Sequence, residues 1–210
     1  MNPPPHFQDV LQFWFGPRPY TAASVRQHSR LWFGDPEAPE LVPQTDELIR
    51  ERFETLMQAA QSGELAAWES SPRRRLALIL LFDQFSRNFY RGTARAFAQD
   101  HHALSLAVSG MQSGADATLD PVERIFHYMP LMHAEALDVQ QESVAAFRRL
   151  LEEAPDELHS IFEGCLESAE LHRDIIARFQ RFPHRNAALG RTSTAEENAW
   201  LAADEERSGQ

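Results

Sequence analysis

The stretch Leu76 to Phe97, LALILLFDQFSRNFYRGTARAF, runs seven consecutive apolar residues straight into charged and amide side chains, with no turn residue between them. A chain carrying this segment has to bury it. At 3.6 residues per turn, Asp83, Arg87 and Arg91 follow one another at i, i+4 and i+8, continuing the line that Leu76 and Leu80 occupy one and two turns earlier. A polar line therefore prolongs an apolar one. Charged groups in such a setting cost several kcal/mol each unless they are paired or serve a ligand, so the segment predicts a buried helix that ends in a site.

The rest of the chain carries the same period. After Pro3, Pro4 and Pro5, residues Phe7, Val10, Leu11, Trp14 and Phe15 fall at helical spacing until Gly16-Pro17. A loop with a short helix around Ser24 to Trp32 leads through Gly34 and Pro36 to Pro43, and a second stripe, Leu48, Ile49, Phe53, Leu56, Met57 and Ala60, ends near Gly63. Ser71 before Pro72 opens the central helix, which Gly92 closes, and Thr93 caps a further helix reaching Gly110. Asp120-Pro121-Val122-Glu123 is a capping box that starts another helix, and Pro130 predicts a kink or break within residues 127–133. Helices from Leu137 to Ala154, from Pro155 to just before Pro183, and from a Thr194 to Glu197 capping box complete the series, with a polar, frayed tail from about Asp204. No β-branched run alternates with polar residues, so no strand is predicted. The expectation is an all-α fold, one domain over residues 1–210, with eight or nine helices.

Charge and composition narrow the function. A net charge of −11 argues against nucleic acid or an anionic membrane surface as a partner. Every one of the twenty basic residues is arginine. Without lysine there is no internal Schiff base and no P-loop lysine. Arg73-Arg74-Arg75 reads as an exposed first helical turn. The single cysteine, Cys165, lies in an apolar series and reads as core. No basic region precedes an apolar one at the N-terminus, and no apolar run approaches the ~20 residues that span a bilayer, so a cytoplasmic protein is expected.

Four polar clusters remain: Asp83, Arg87, Asn88, Tyr90 and Arg91; Glu123, Arg124, His127 and Tyr128, with Glu123 and His127 at i,i+4; His133 and Glu135 after the proline; and His172 to Asp174 with the loop His184-Arg185-Asn186. On its helix His172 shares the apolar face with Ile175, Ile176 and Phe179 and is expected to be buried. Two Arg-Asn pairs, Arg87-Asn88 and Arg185-Asn186, each follow a phenylalanine, and guanidinium forks bind carboxylate or phosphate bidentately. No His-Glu-x-x-His motif or cysteine pair completes a metal site, so neither metal nor cofactor is expected.

The residues VLQFWFG, DQFSRNFYRGTARAF, ERIFHYMPLMHAE and HRDIIARFQRFPHRNAALGR, in this order from Val10 to about Leu201, resemble the bacterial family called domain of unknown function 924. The resemblance implies a helical array similar to the tetratricopeptide-repeat superfamily, although no 34-residue repeat signature is present. It implies no activity. Two departures stand out: the family usually has proline where Ser86 stands and glycine where Gln180 stands.

The functional expectation is a pocket between the central helix, the Tyr128 to Glu135 break and the Phe182 to Asn186 loop. There Arg87, Arg91 and Arg185 would hold the anionic group of a small molecule or peptide, beside Asp83, Asn88, Tyr128, Glu135 and Asn186. One alternative is a cofactor-free enzyme in which His133, His172 or His184 is general acid or base and the arginines stabilise an oxyanion. Another is a helical interaction scaffold whose polar clusters are structural. A histidine within hydrogen-bond reach of an acid and facing open pocket space separates catalysis from mere binding. Exposed aromatics at Trp32-Phe33 would suit a homodimer contact.

Overall fold

The apolar run at Leu76 is the axis of the structure, a computed structural model that describes residues 6–34 and 37–208. Pro3 to Pro5 and Pro36 lie outside the described residues. Leu76 through Leu81 are all buried. They occupy α4 (Pro72–Ile79) and a π-helical turn (Leu80–Phe85) that runs on into α5 (Ser86–Phe89). Neighbours on several sides explain why this run has no polar face: α4 packs against α1 (Phe7–Phe15), α6 (Asp100–Gln112) and α7 (Pro121–Met132), and α5 against α3 (Val42–Gln61).

The remaining helices wrap this axis. Helix α2 (Ala22–Phe33) lies on α1; α8 (Leu137–Glu152) packs against both α7 and α9 (His159–Phe179); and α10 (Ala195–Ser208) meets the 3₁₀ turn Pro183–Arg185. With 72–89 taken as one continuous helix, the described residues form nine helices and no strand. The protein is all-α. One contiguous core runs from Val10 to Ala169, and a small second cluster joins Ile175, Ile176 and Phe182, with Phe179 and Trp200 packed on it. No helix among the described residues is long and apolar enough to cross a membrane.

Both predicted capping boxes form: Asp120 accepts from Val122 N–H while Glu123 accepts from Asp120 N–H, and Thr194 and Glu197 exchange the equivalent bonds. Ser71 stands at the N-cap of α4 in extended backbone but makes no side-chain cap. At the other end of the chain, α10 carries past Asp204 to Ser208.

Several local expectations are corrected. Pro130 lies inside α7, in its last turn, where its missing N–H removes one ladder bond; the helix ends two residues later, at Met132, so the break falls at the end of the predicted 127–133 segment rather than at the proline. The predicted helix from Thr93 to Gly110 is two elements, a 3₁₀ turn (Ala94–Phe97) and α6, which continues through Gly110 to Gln112. Arg73 is not an exposed first-turn residue, since its Nε donates to the buried Glu123 at 3.1 Å, and Arg75 donates to the Glu69 carbonyl. Trp32 is half-buried, with its indole N–H on the Trp14 carbonyl at 2.7 Å; of the pair only Phe33 is well exposed.

Candidate functional site

The central helix widens where its apolar run meets the polar cluster. Ser86 N–H reaches back five residues to the Leu81 carbonyl, a π-type bond, and such turns recur at functional sites because they re-aim the side chains that follow. Asp83, inside this turn, has no solvent exposure. Its Oδ1 lies 2.7 Å from His133 Nδ1 and 3.3 Å from Arg87 Nη1, and its Oδ2 accepts from Gln84 at 2.5 Å. Burial alone would raise the Asp83 pKa, but Arg87, His133 and the two hydrogen bonds outweigh it and hold the carboxyl well below the usual range. An ionised carboxylate only accepts, so His133 Nδ1 carries the proton and Nε2 is the ring nitrogen not committed to Asp83. Burial, with Arg87 and Arg185 nearby, lowers the His133 pKa despite Asp83.

Arg87 also grips a second acid, donating from Nη1 and Nη2 to the two oxygens of Asp100 at 3.1 Å each. Arg185 comes to the same place from the loop after α9: its Nη1 donates to the His133 carbonyl at 3.0 Å and to Asp100 Oδ2 at 3.4 Å. Its guanidinium lies 4.4 Å from the Phe182 ring centroid and 4.8 Å from that of Phe97. Only 7% of its side chain is exposed, and its Nε is buried without a hydrogen-bond partner. Burial, followed by the neighbouring Arg87, pushes its pKa down to about 10. Burial likewise raises the Asp100 pKa, with Asp83 adding to it against the pull of Arg87.

A cavity of about 250 Å³ opens over this group, lined by Arg87, Arg91 and Arg185 and by His133, His172 and His184. A second of about 560 Å³ adjoins it, and Arg87, His133 and His172 line both. His172 is half-buried rather than buried; its Nδ1 is 2.7 Å from the Ser168 carbonyl and its ring packs on Phe182. His184 also sits against Phe182. Among the described residues no group of three His, Cys, Asp or Glu side chains is arranged to hold a metal ion.

The sequence-predicted residues divide accordingly. Asp83, Arg87, His133, His172, His184 and Arg185 come together. Arg91 reaches the cavity wall, but not along the predicted line: α5 ends at Phe89, and Arg91 turns to Asp46 on α3, with bonds of 2.6 and 2.8 Å. Asn88 donates to the same Asp46 at 2.8 Å, away from this cavity. Glu135 and Asn186 are braces rather than lining. Arg191 binds Glu135 through two nitrogens at 2.6 and 2.9 Å and Asn186 through Nε at 2.9 Å, while Glu135 also accepts from Phe182 N–H, so the loop bearing His184 and Arg185 is pinned. Tyr128 does not belong to the site: its hydroxyl donates to Asp116 at 2.6 Å and its ring packs on Phe147. Nor does Glu123 pair with His127. The Glu123 carboxylate takes Tyr20, Arg73 and Arg18, while His127 Nε2 lies 3.1 Å from the Ala107 carbonyl.

Three contributors were not predicted: Asp100, Asp46 and the aromatic platform of Phe97. Asp100 opens α6 thirteen residues beyond Arg87, a spacing that no helical period marks.

The fold and this cluster define an all-α array whose helices converge on a cationic cavity backed by buried acids. The chain belongs to the family described as "Bacterial protein of unknown function (DUF924)", which matches residues 10–205. Among solved structures it is similar to a protein of unknown function, ATU0120, from Agrobacterium tumefaciens, at 33% identity over 93% of this chain and 96% of that one, with a TM-score of 0.75. No curated protein matches it.

Proposed function

We propose that the protein binds a small molecule through an anionic group, a carboxylate or phosphate, seated between Arg87, Arg91 and Arg185. The observation that carries this reading is the make-up of the smaller cavity's wall. Three arginines and three histidines line it, whereas Asp46, Asp83 and Asp100, which balance them, stand outside its lining. The acids keep the cations folded and oriented; the cations face the space. A fork already fixed by Asp100 and stacked on Phe97 loses little freedom when it takes a ligand oxygen.

The test is thermal unfolding with phosphate, acetate or citrate against chloride at matched ionic strength. A bound anion present at 100 times its Kd stabilises by ~2.7 kcal/mol, or roughly 5–10 °C for a domain of this size. Arg185→Gln should remove the rise. Equal melting in every anion would sink the reading.

One further observation favours catalysis at the same place. His133 is oriented by a buried carboxylate, and its ring lines both cavities. With Nδ1 as donor and its pKa lowered, the imidazole is neutral at pH 7 and Nε2 is available as a general base, while Arg87 and Arg185 would stabilise negative charge on an oxygen. Carboxylate and phosphate esters incubated at pH 7 and followed by proton NMR test it. His133→Asn should abolish turnover yet keep the anion-induced thermal shift; turnover that survives in this variant would exclude His133 as the base.

A further inference from the structure

The larger cavity has a charged side and a mostly apolar remainder, in which Gln84, Ser160 and Ser168 are the other polar residues. Its charged side is the set it shares with the cationic cavity, Arg87, His133 and His172. The rest of its wall includes Met129 and Met132 from α7, Ile161 and Cys165 from α9, and Trp32 and Phe33 from α2. At about 560 Å³ it lies within the ~300–1,000 Å³ of pockets that take small organic ligands.

Resting on the anion-binding reading above, we propose that the ligand is an amphiphile, with its carboxylate or phosphate head between Arg87, Arg91 and Arg185 and its apolar body passing His133 into this larger cavity between α7 and α9.

Three features support the assignment. Methionine side chains, unbranched and polarisable, adapt to bodies of differing shape. Phe33 stands 62% exposed beside the cavity, an apolar ring that a bound tail would cover. The third is Gly164, which lies mid-helix in α9 on the cavity wall. Its φ is not positive, and a Cβ built there would meet no heavy atom within 4 Å, so neither backbone nor packing calls for glycine. A glycine inside a helix is destabilising by ~0.5–1 kcal/mol relative to alanine, and what this one provides is empty volume. Cys165, whose thiol burial pushes up to about 12, is inert lining rather than a nucleophile.

The experiment is a binding series on the full chain, from acetate through butanoate, hexanoate and octanoate to decanoate, with the matching alkyl phosphates as a second arm and decanol as the headless control. Affinity should rise roughly fourfold per buried methylene until the cavity is filled, with decanol binding far more weakly than decanoate. The arm with the higher affinity identifies the head. Gly164→Leu, checked for native melting and circular dichroism, should erase the gain with chain length while phosphate and acetate still bind; Gly164→Ala should shorten the optimum tail. Arg185→Gln should weaken every member of both arms by a similar factor. If phosphate and acetate bind but decanoate binds no tighter, the amphiphile is overturned and the anion reading stands. If no anion of any length binds, the anion reading itself has failed. A Gly164→Leu variant that holds decanoate as tightly as the native chain would place the tail elsewhere and overturn the assignment.

Discussion

His133 Nδ1 stands 2.7 Å from Asp83 Oδ1, across fifty residues of sequence, at a carboxylate that no solvent reaches. A charge so placed survives only because His133, Arg87 and Gln84 replace its hydration. Removing it strands Arg87 against Asp100 and leaves His133 without an acceptor. Asp83→Ala is expected to cost about 3–5 kcal/mol in urea unfolding at pH 7. The double variant Asp83→Ala with Arg87→Ala should cost less than the two singles added, with a coupling of roughly 1–3 kcal/mol. Additive losses would mean that the two side chains do not act as a pair.

His127 makes stability depend on pH. Burial holds its pKa down at about 4, against the raising effect of Asp116, and its Nδ1 has no hydrogen-bond partner. In the unfolded chain the ring takes a proton near pH 6.5. Between about pH 6.5 and 4 the unfolded state therefore binds the extra proton, so this contribution is complete above pH 6.5 and shrinks as the pH falls toward 4. Its size is about 3 kcal/mol. His133 and His172, also lowered by burial, add to the slope in the same direction. Urea unfolding at pH 7.5, 6 and 5 should show stability falling with pH and a shallower fall in His127→Gln; parallel slopes would show that His127 is not the titrating group.

How far the site was legible depended on whether a polar residue sat in a segment whose pattern forced burial. Asp83 directly follows seven apolar residues, and Arg185 repeats in its loop the Phe-then-Arg-Asn pattern of Arg87-Asn88, so both were readable. Tyr128 sits in the right segment but not on the right side. Five residues separate it from His133, and at 3.6 residues per turn that is about 140° of rotation, which sends its hydroxyl to Asp116 instead. The π-helical turn leaves no mark in the apolar spacing, so the i+8 line to Arg91 looked intact. Asp100 and Asp46 were invisible because their partners come from other helices, and no periodicity within one segment encodes such a meeting. The helices themselves, set by stripes and caps, were legible almost throughout. The exceptions were the Thr93 to Gly110 segment, which divides into a 3₁₀ turn and α6, and the end of α7, which comes two residues after Pro130 rather than at it.

Gly110 belongs to α6 because of His127. A Cβ at position 110 would lie 2.5 Å from His127 Cε1 and 2.7 Å from its Nε2, and that ring is fixed by the Ala107 carbonyl one turn earlier. Alanine normally stabilises a helix interior by ~1 kcal/mol relative to glycine. Here the clash with a buried ring should reverse the sign, and Gly110→Ala is expected to lose about 1–3 kcal/mol in urea unfolding. A stabilised Gly110→Ala would mean that the ring can move aside.

Gln180 ends α9 at φ 58°, ψ 10°, the left-handed conformation, with its N–H on the Ile176 carbonyl at 2.8 Å. It is the one non-glycine residue with positive φ among the described residues. A side chain there costs roughly 1–2 kcal/mol, because Cβ crowds the following carbonyl, and glycine has no Cβ to crowd. Part of the gain on replacement is offset by the greater freedom glycine has in the unfolded chain, ~0.5–1 kcal/mol. The side chain is exposed, so no packing is lost. Gln180→Gly is therefore expected to stabilise by about 0.5–1 kcal/mol and raise Tm by roughly 2 °C, while Gln180→Ala, which keeps the Cβ, should give no such gain. Because the next turn of chain carries Phe182 and Arg185, a firmer helix end should also leave anion-induced thermal shifts intact. A Gln180→Gly protein that melts lower than the native chain would show that the glutamine side chain supports this turn in a way that its backbone angle does not reveal.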